Sequence, residues 1–215
     1  MLAACRGELY SAVVSDTLDA MGHRNQTFEP GFVPLDDDTV LAGFARTGIY
    51  MPIYHDDETV NVYEHEIALI DSLKKDDVAV LSCAGNLRIA PWGELLSTRA
   101  RYLEAAGCIT DGSVRDVRLI RQMGFAVFSR GRNPVDTKHR GKMMWQDVPV
   151  EIGGVRVSPG DLIIGDLDGI VVAPKAVAEE AVAKALDKVR AESTVREELA
   201  SGKSLASVFA KHQVL

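Results

Sequence analysis

The 215 residues contain no long apolar run, no basic block and no cysteine framework. Without a stretch of about 18 apolar residues, or a basic segment leading into an apolar one at the N-terminus, neither a membrane span nor a secretion signal is expected. Cys5, Cys83 and Cys108 are an odd, widely spaced trio. Such a set predicts neither disulfides nor a structural zinc site, and it fits a reducing cytosol. Basic residues are also scarce: 24 Lys and Arg stand against 31 Asp and Glu, a net charge of -7. That surface repels phosphate backbones, so nucleic acid is not an expected partner. The charged fraction of 26% and apolar fraction of 47% are those of ordinary globular proteins, which excludes disorder and fibrous structure. A soluble, cytoplasmic chain with one sizeable core is expected.

Several chemical signatures are missing as well. No GxGxxG follows a strand and there is no Walker A sequence, so dinucleotide and ATP binding lack support. No glycine-rich strand-to-helix loop favours an adenosylmethionine-dependent methyltransferase. His65-Glu66 begins like a zincin helix, but Leu69 stands where the second histidine belongs, and a surface helix pair is the expected reading. Asp166 to Gly169 lacks the remaining ligands of a calcium loop and reads as a hairpin turn.

What is present is an alternation of elements. Leu9, Val13, Val14, Leu18 and Met21 recur at helical spacing, with Ser15-Asp16 as a capping candidate. Residues 25–38 form a loop, read as a connector rather than a lid. A strand over 39–50, a helix over 60–73, a strand over 78–83, a helix over 93–106, a strand over 108–110 with a turn at Asp111-Gly112, a helix over 115–123 and a strand over 125–129 follow. Strands alternating with helices at this spacing imply parallel pairing with helical crossovers. Gly153-Gly154 predicts a hairpin within 148–157. Strands flank Asp166–Gly169, and one long helix runs from Pro174 to about 200.

Ligands on open α/β sheets bind where strands end and helices begin, which singles out two junctions. At Trp92-Gly93-Glu94-Leu95-Leu96-Ser97, free backbone amides open a helix and can cradle a small carboxylate or phosphate. An empty cap is the alternative, and Trp92 beside it reads as a packing residue. At Asp111-Gly112-Ser113-Val114-Arg115-Asp116, a guanidinium and a carboxylate follow one another. Arg suits planar recognition of a carboxylate or enolate oxygen, and a lone Asp with waters suits Mg²⁺. The competing reading is a surface ion pair beside a helix dipole.

Gly93 to Leu96, Asp111 to Asp116 and the Gly160 to Gly169 run together resemble the RraA-like family, which includes the 4-hydroxy-4-methyl-2-oxoglutarate (HMG/CHA) aldolases. The likeness runs from about residue 15 to 195. It implies a single RraA-like domain over 1–215 with a C-terminal helical extension from about 175 to 215. The implied fold is an α/β αββα sandwich resembling a swivelling phosphohistidine domain. The implied function is a class II pyruvate aldolase dependent on Mg²⁺ or Mn²⁺, with oxaloacetate decarboxylation as an accompanying activity, acting on a small 2-oxo acid as a homotrimer or hexamer.

In the same terms, Asp116 binds the metal directly and Arg115 contacts the keto oxygen that becomes the enolate. The amides of Gly93, Glu94, Leu95 and Leu96 hold the substrate carboxylate. Glu94 acts at the metal through water and, with that water, in catalysis; Glu192 of a neighbouring subunit joins it, with Glu197 and Glu198 as alternatives. The family also contains non-catalytic binding regulators of ribonuclease E, the alternative function, which do not keep the Asp of the Arg-Asp pair or the Gly-acidic-Leu-Leu junction. Arg130, Arg132, Lys138, His139 and Arg140 are open to two readings, a subsite for the substrate's distal group or a solvated loop.

Overall fold

The structure is a computed structural model that describes residues 1–55 and 57–213. In chain order its elements are α1 (Leu2–Gly7), α2 (Ser11–Ala20), β1 (Val33–Pro34), β2 (Leu41–Pro52), α3 (Glu64–Asp71), β3 (Asp77–Ser82), α4 (Glu94–Tyr102), β4 (Gly107–Val114), α5 (Val117–Met123) and β5 (Ala126–Arg132). They continue as β6 (Gly141–Gln146), β7 (Val150–Ile152), β8 (Val155–Val157), β9 (Leu162–Asp166), β10 (Gly169–Ala173), α6 (Ala178–Ala200) and α7 (Leu205–His212).

The main sheet has the order β1-β5-β4-β3-β2-β9-β10. Strand β6 adds to the far half of the long β2. Strands β2 to β5 pair in parallel, with α3, α4 and α5 as the crossovers, as the alternating pattern predicts. Register places Val80 opposite Ile109 and Ile109 opposite Phe128, all fully buried. Parallel strands covered on both faces are apolar throughout rather than alternating, and β4 is buried along its whole length. Helices α3 to α5 cover one face through Leu69, Ile70, Ala100 and Ile120. The β7–β8 hairpin and Phe28 and Phe32 cover the other through Val150, Ile152, Val155 and Val157. At the β9–β10 end, α1, α2 and α6 supply Cys5, Val13, Val14, Leu18, Ala181 and Ala185.

Four local expectations need correction. The N-terminal helix begins at Ser11 behind Tyr10, so Ser15-Asp16 sits within it rather than capping it. Asp111-Gly112 is not a turn but part of β4, which carries an irregularity between Thr110 and Ser113. The reason is that the buried Asp111 carboxylate accepts from the backbone amides of Cys83 and Gly85, tying the neighbouring segment to the strand instead of reversing the chain. The 25–38 connector contributes an edge strand, since Val33 and Pro34 pair with Ser129 and Phe128. The C-terminal extension is two helices, α6 and α7, broken at Ser201-Gly202, where Gly202 has a φ of +90°.

Candidate active site

The two junctions singled out in the sequence come together at one end of the parallel strands. At the end of β4, Trp92 forms a parallel bridge with Val114, and just beyond it the Arg115 amide donates to the Trp92 carbonyl at 3.0 Å. Trp92 is buried, as expected of a packing residue. Its indole N–H donates to Ser97 Oγ at 2.7 Å and its ring stacks on Phe125. This anchors the start of α4, whose N-cap is Gly93 in extended conformation. Gly93 is required by proximity: a Cβ there would lie 2.8 Å from Asp116 Oδ2 and 3.1 Å from Arg115 Cγ and Nε.

Asp116 caps α5 in the left-handed region, with φ 58°. A carboxylate residue held there by its surroundings is a recurrent feature of functional sites. Its Oδ2 accepts the Glu94 amide at 3.2 Å and lies 3.7 Å from Arg115 Nε. Its Oδ1 has no protein hydrogen bond among the described residues. One of the predicted cradle amides is therefore turned to Asp116, while the amides of Leu95 and Leu96 have no protein acceptor among the described residues. The Glu94 side chain accepts from Thr98 Oγ1 at 2.7 Å.

Arg115 is the pivot. Besides Asp116 it pairs with Asp136 on the β5–β6 connection, Nη1 to Oδ2 at 3.0 Å. Asp136 also accepts from the Tyr63 hydroxyl at 2.9 Å and the Lys138 amide at 3.0 Å. Burial pulls the Asp136 carboxyl up, but Lys138, Tyr63 and Arg115 together outweigh it and hold it below the usual range. Burial and the bond to Asp136 push the Tyr63 phenol up to about 12. Behind this pair lies a cavity of about 190 Å³ lined by Tyr63, Glu66, Trp92, Gly93, Leu95, Leu96, Arg115, Asp116, Asp136 and Thr137. It is smaller than a drug-sized pocket of about 300–1,000 Å³. On the other side of Arg115–Asp116 an open cleft of about 670 Å³ is flanked by Arg118, Arg121 and Arg132.

Sequence reasoning missed Tyr63, Glu66 and Asp136. Glu66 is not a surface helix residue: it is 8% exposed and accepts the Tyr50 hydroxyl at 2.6 Å. Burial pushes its carboxyl up to about 7, with Asp136 adding to the rise and Tyr50 and Arg115 opposing it. The Tyr63-x-x-Glu66 spacing puts both on one helical face, a signal that exists in the sequence but points nowhere without the cavity. Glu192 is not brought to this site within the chain. It takes the Tyr10 hydroxyl and lies 3.7 Å from Arg196, on the α2–α6 side of the sheet. Glu198 is engaged by Lys203, Lys211 and His212. Of the basic loop residues, Arg132 borders the cleft, Arg130 lies over the Phe32 ring, and Arg140 bonds the Asp136 and Lys138 carbonyls.

Among the described residues no group of three or more His, Cys, Asp or Glu forms a metal cage. The donors around the cavity nevertheless suit a hydrated divalent cation. Two carboxylates, Asp116 and Asp136, flank one guanidinium at the cavity, and Asp116 keeps an oxygen free. Mg²⁺ is commonly held by one or two carboxylates and retains several waters.

Residues 11–172 match the family model for RraA-like proteins, Aldolase/RraA. The chain is 31% identical over 197 residues to a Halalkalibacterium halodurans protein named "Putative 4-hydroxy-4-methyl-2-oxoglutarate aldolase", covering 90% of this chain and 85% of that one. It is also 31% identical over 198 residues to protein DlpA of Legionella pneumophila, but spans only 31% of that protein's length against 91% of its own. Among solved structures it is similar to Streptomyces coelicolor RraAS2, described as an unusual member of the RNase ES inhibitor RraA protein family. The TM-score is 0.79 at 29% identity, over 91% of this chain and 95% of that one.

Proposed function

Because the chain belongs to the RraA-like family, we propose that it is a divalent-metal-dependent class II pyruvate aldolase. It cleaves 4-hydroxy-4-methyl-2-oxoglutarate-type 2-oxo acids and decarboxylates oxaloacetate. The observation that carries this reading is Arg115, clamped between Asp136 and Asp116 at the mouth of a small cavity whose rim is the N-terminus of α4. A regulator that acts only by binding has no need of such an arrangement.

In the reaction the C3–C4 bond of the substrate breaks and its electron pair moves into the 2-oxo group. The barrier is largely the negative charge that develops on the keto oxygen. In this reading Arg115 receives that oxygen, and its pairing with Asp136 at 3.0 Å supports the role by restraining the guanidinium. The Leu95 and Leu96 amides, with the helix dipole behind them, receive the carboxylate. Asp116 would hold the divalent cation, with Glu94 and a neighbouring subunit's Glu192 as further carboxylates around it, and the bound cation would supply electrophilic stabilisation of the developing negative charge. Glu94 and Glu192 act as the base, one carboxylate ending with the C4 hydroxyl proton, relayed by an intervening water. Arg132 and Arg118, at the open cleft, receive the distal carboxylate.

The test is pyruvate release from oxaloacetate and from 4-hydroxy-4-methyl-2-oxoglutarate, corrected for metal-catalysed background. Activity is expected with Mg²⁺, lost in EDTA, and lowered about 100-fold or more in Asp116→Ala and Arg115→Ala, the usual cost of removing a group that stabilises an oxyanion. Ribonuclease binding that survives both substitutions, in a chain without lyase activity, would instead support the regulator reading that its likeness to RraAS2 raises.

A further inference from the structure

The α3 wall of the cavity carries a carboxyl for which the mechanism above has no use. Glu66 lines the cavity opposite the β4–α5 junction, and the protein satisfies only half of it. Oε2 accepts the Tyr50 hydroxyl, whereas Oε1 has no protein hydrogen bond among the described residues. A buried carboxyl with one neutral donor and no bound cation is costly, and a glutamine would pack there without that cost. The charged and titratable groups around it are Tyr50 from β2, Cys83 after β3, Arg115 at the end of β4, Asp136 on the β5–β6 connection and Tyr63 on the entry to α3. None of them is a hydrogen-bonded cation that would hold Glu66 ionised, and neither Asp116 nor Glu94 hydrogen-bonds to it. Burial therefore keeps the carboxyl protonated up to about pH 7, with Arg115 close enough to stabilise the anion once the proton has left.

We infer that Glu66 is the acid that delivers a proton to C3 of the pyruvate enolate, an inference that rests on the aldolase reading. In that step the Glu66 O–H bond breaks and a C3–H bond forms from the enolate C2=C3 pair as the C2=O bond is restored. Glu66 is left as a carboxylate that accepts from Tyr50 and regains its proton from solvent. Run backwards, the carboxylate removes a methyl proton from bound pyruvate. Tyr50 acts through Glu66 and is a positioning residue.

The reverse direction gives the experiment: exchange of the pyruvate methyl protons in D₂O with Mg²⁺, followed by NMR, beside oxaloacetate consumption. Wild-type protein should exchange the methyl group, with a rate that rises as pH passes through about 7. Glu66→Gln should lower exchange by about 100-fold or more, the usual share of a positioned acid or base. It should slow oxaloacetate consumption far less, because loss of carbon dioxide precedes protonation and the released enolate ketonises in water. Tyr50→Phe removes a hydrogen bond that favours the carboxylate, so its exchange should rise at higher pH than in wild type. Exchange at the wild-type rate in Glu66→Gln would overturn the assignment. So would equal losses of exchange and consumption, or an unmoved pH profile in Tyr50→Phe. A wild-type protein that neither consumes oxaloacetate nor exchanges pyruvate would remove the aldolase reading and this step with it.

Discussion

A methyl group on residue 93 would press against the Asp116 carboxylate and the Arg115 stem, so Gly93→Ala reads the site with a minimal change. The backbone there is extended and tolerates a side chain, and the crowded atoms are all side-chain atoms, the Asp116 carboxylate and the Arg115 stem, rather than backbone. Folding should lose about 1–3 kcal/mol, whereas displacing the carboxylate and guanidinium should cost on the order of 100-fold in kcat. Near-normal activity in Gly93→Ala would mean that Asp116 and Arg115 are not held in their working positions.

Glu66 supplies a second residue-level prediction, this one on stability. Its carboxyl titrates near 4.5 in an unfolded chain and near 7 when folded, because burial disfavours the charge. The folded state keeps the proton across that window, so the contribution is complete below about pH 4.5 and is lost as pH rises through 7. The difference amounts to roughly 3 kcal/mol. Glu66→Gln cannot ionise, so its Tm should fall less than that of wild type between pH 5 and 8, as read by thermal melts across that range. Parallel curves would assign the pH dependence to another group.

Among the elements, α7 is held by charge more than by burial. Only Val208 of its eight residues is buried. Glu198 on α6 receives Lys211 and His212 from α7 and Lys203 from the turn. Lys211 and then Lys203 hold its carboxyl down at about 2. A lowered carboxyl stabilises above its ordinary value near 4.5 and loses that contribution as pH falls toward 2. Amide exchange in 205–212, corrected for intrinsic rates, should therefore stay slow from pH 7 to 5 and quicken below about 4. Glu198→Gln should show the quickened exchange at neutral pH.

The elements also show what a local pattern can tell. The apolar strands β3, β9 and β10 and the periodic helices α2 and α6 stand at or near their predicted bounds, because each carries its own burial pattern. Strand β6 was not predicted, since Lys142, Met144 and Trp145 are only partly covered and the segment shows no clean alternation. It exists because the far half of β2 offers an open edge to pair with. Helix α7 lies beyond the long helix read to about residue 200, and Gly202-Lys203-Ser204 before Leu205 carries its stop and cap: Ser204 Oγ accepts the Ser207 amide.

For the molecule as a whole, the placement of Glu192 bears on assembly. Within one chain it faces Tyr10 and not the cavity. If it serves the site of a neighbouring subunit, specific activity should fall as the protein is diluted and the assembly dissociates. Light scattering beside activity over a dilution series checks this, and full activity in a monomer would remove Glu192 from the mechanism.

The chain by itself determined most of the helices and strands, the parallel core, the family, and the two junctions at Gly93–Leu96 and Arg115–Asp116. All of these rest on residues close together in sequence, where spacing and backbone chemistry suffice. Only the tertiary structure decided that Glu66 and Asp136 share a cavity with Arg115 and that Tyr50 backs Glu66. These residues come from β2, α3, the end of β4 and the β5–β6 connection, and they meet because parallel register aligns the strand ends and α3 packs over β2 and β6. Burial, which turns Glu66 from an ordinary surface carboxylate into a proton donor near neutral pH, is a property of that packing and of no local stretch of sequence.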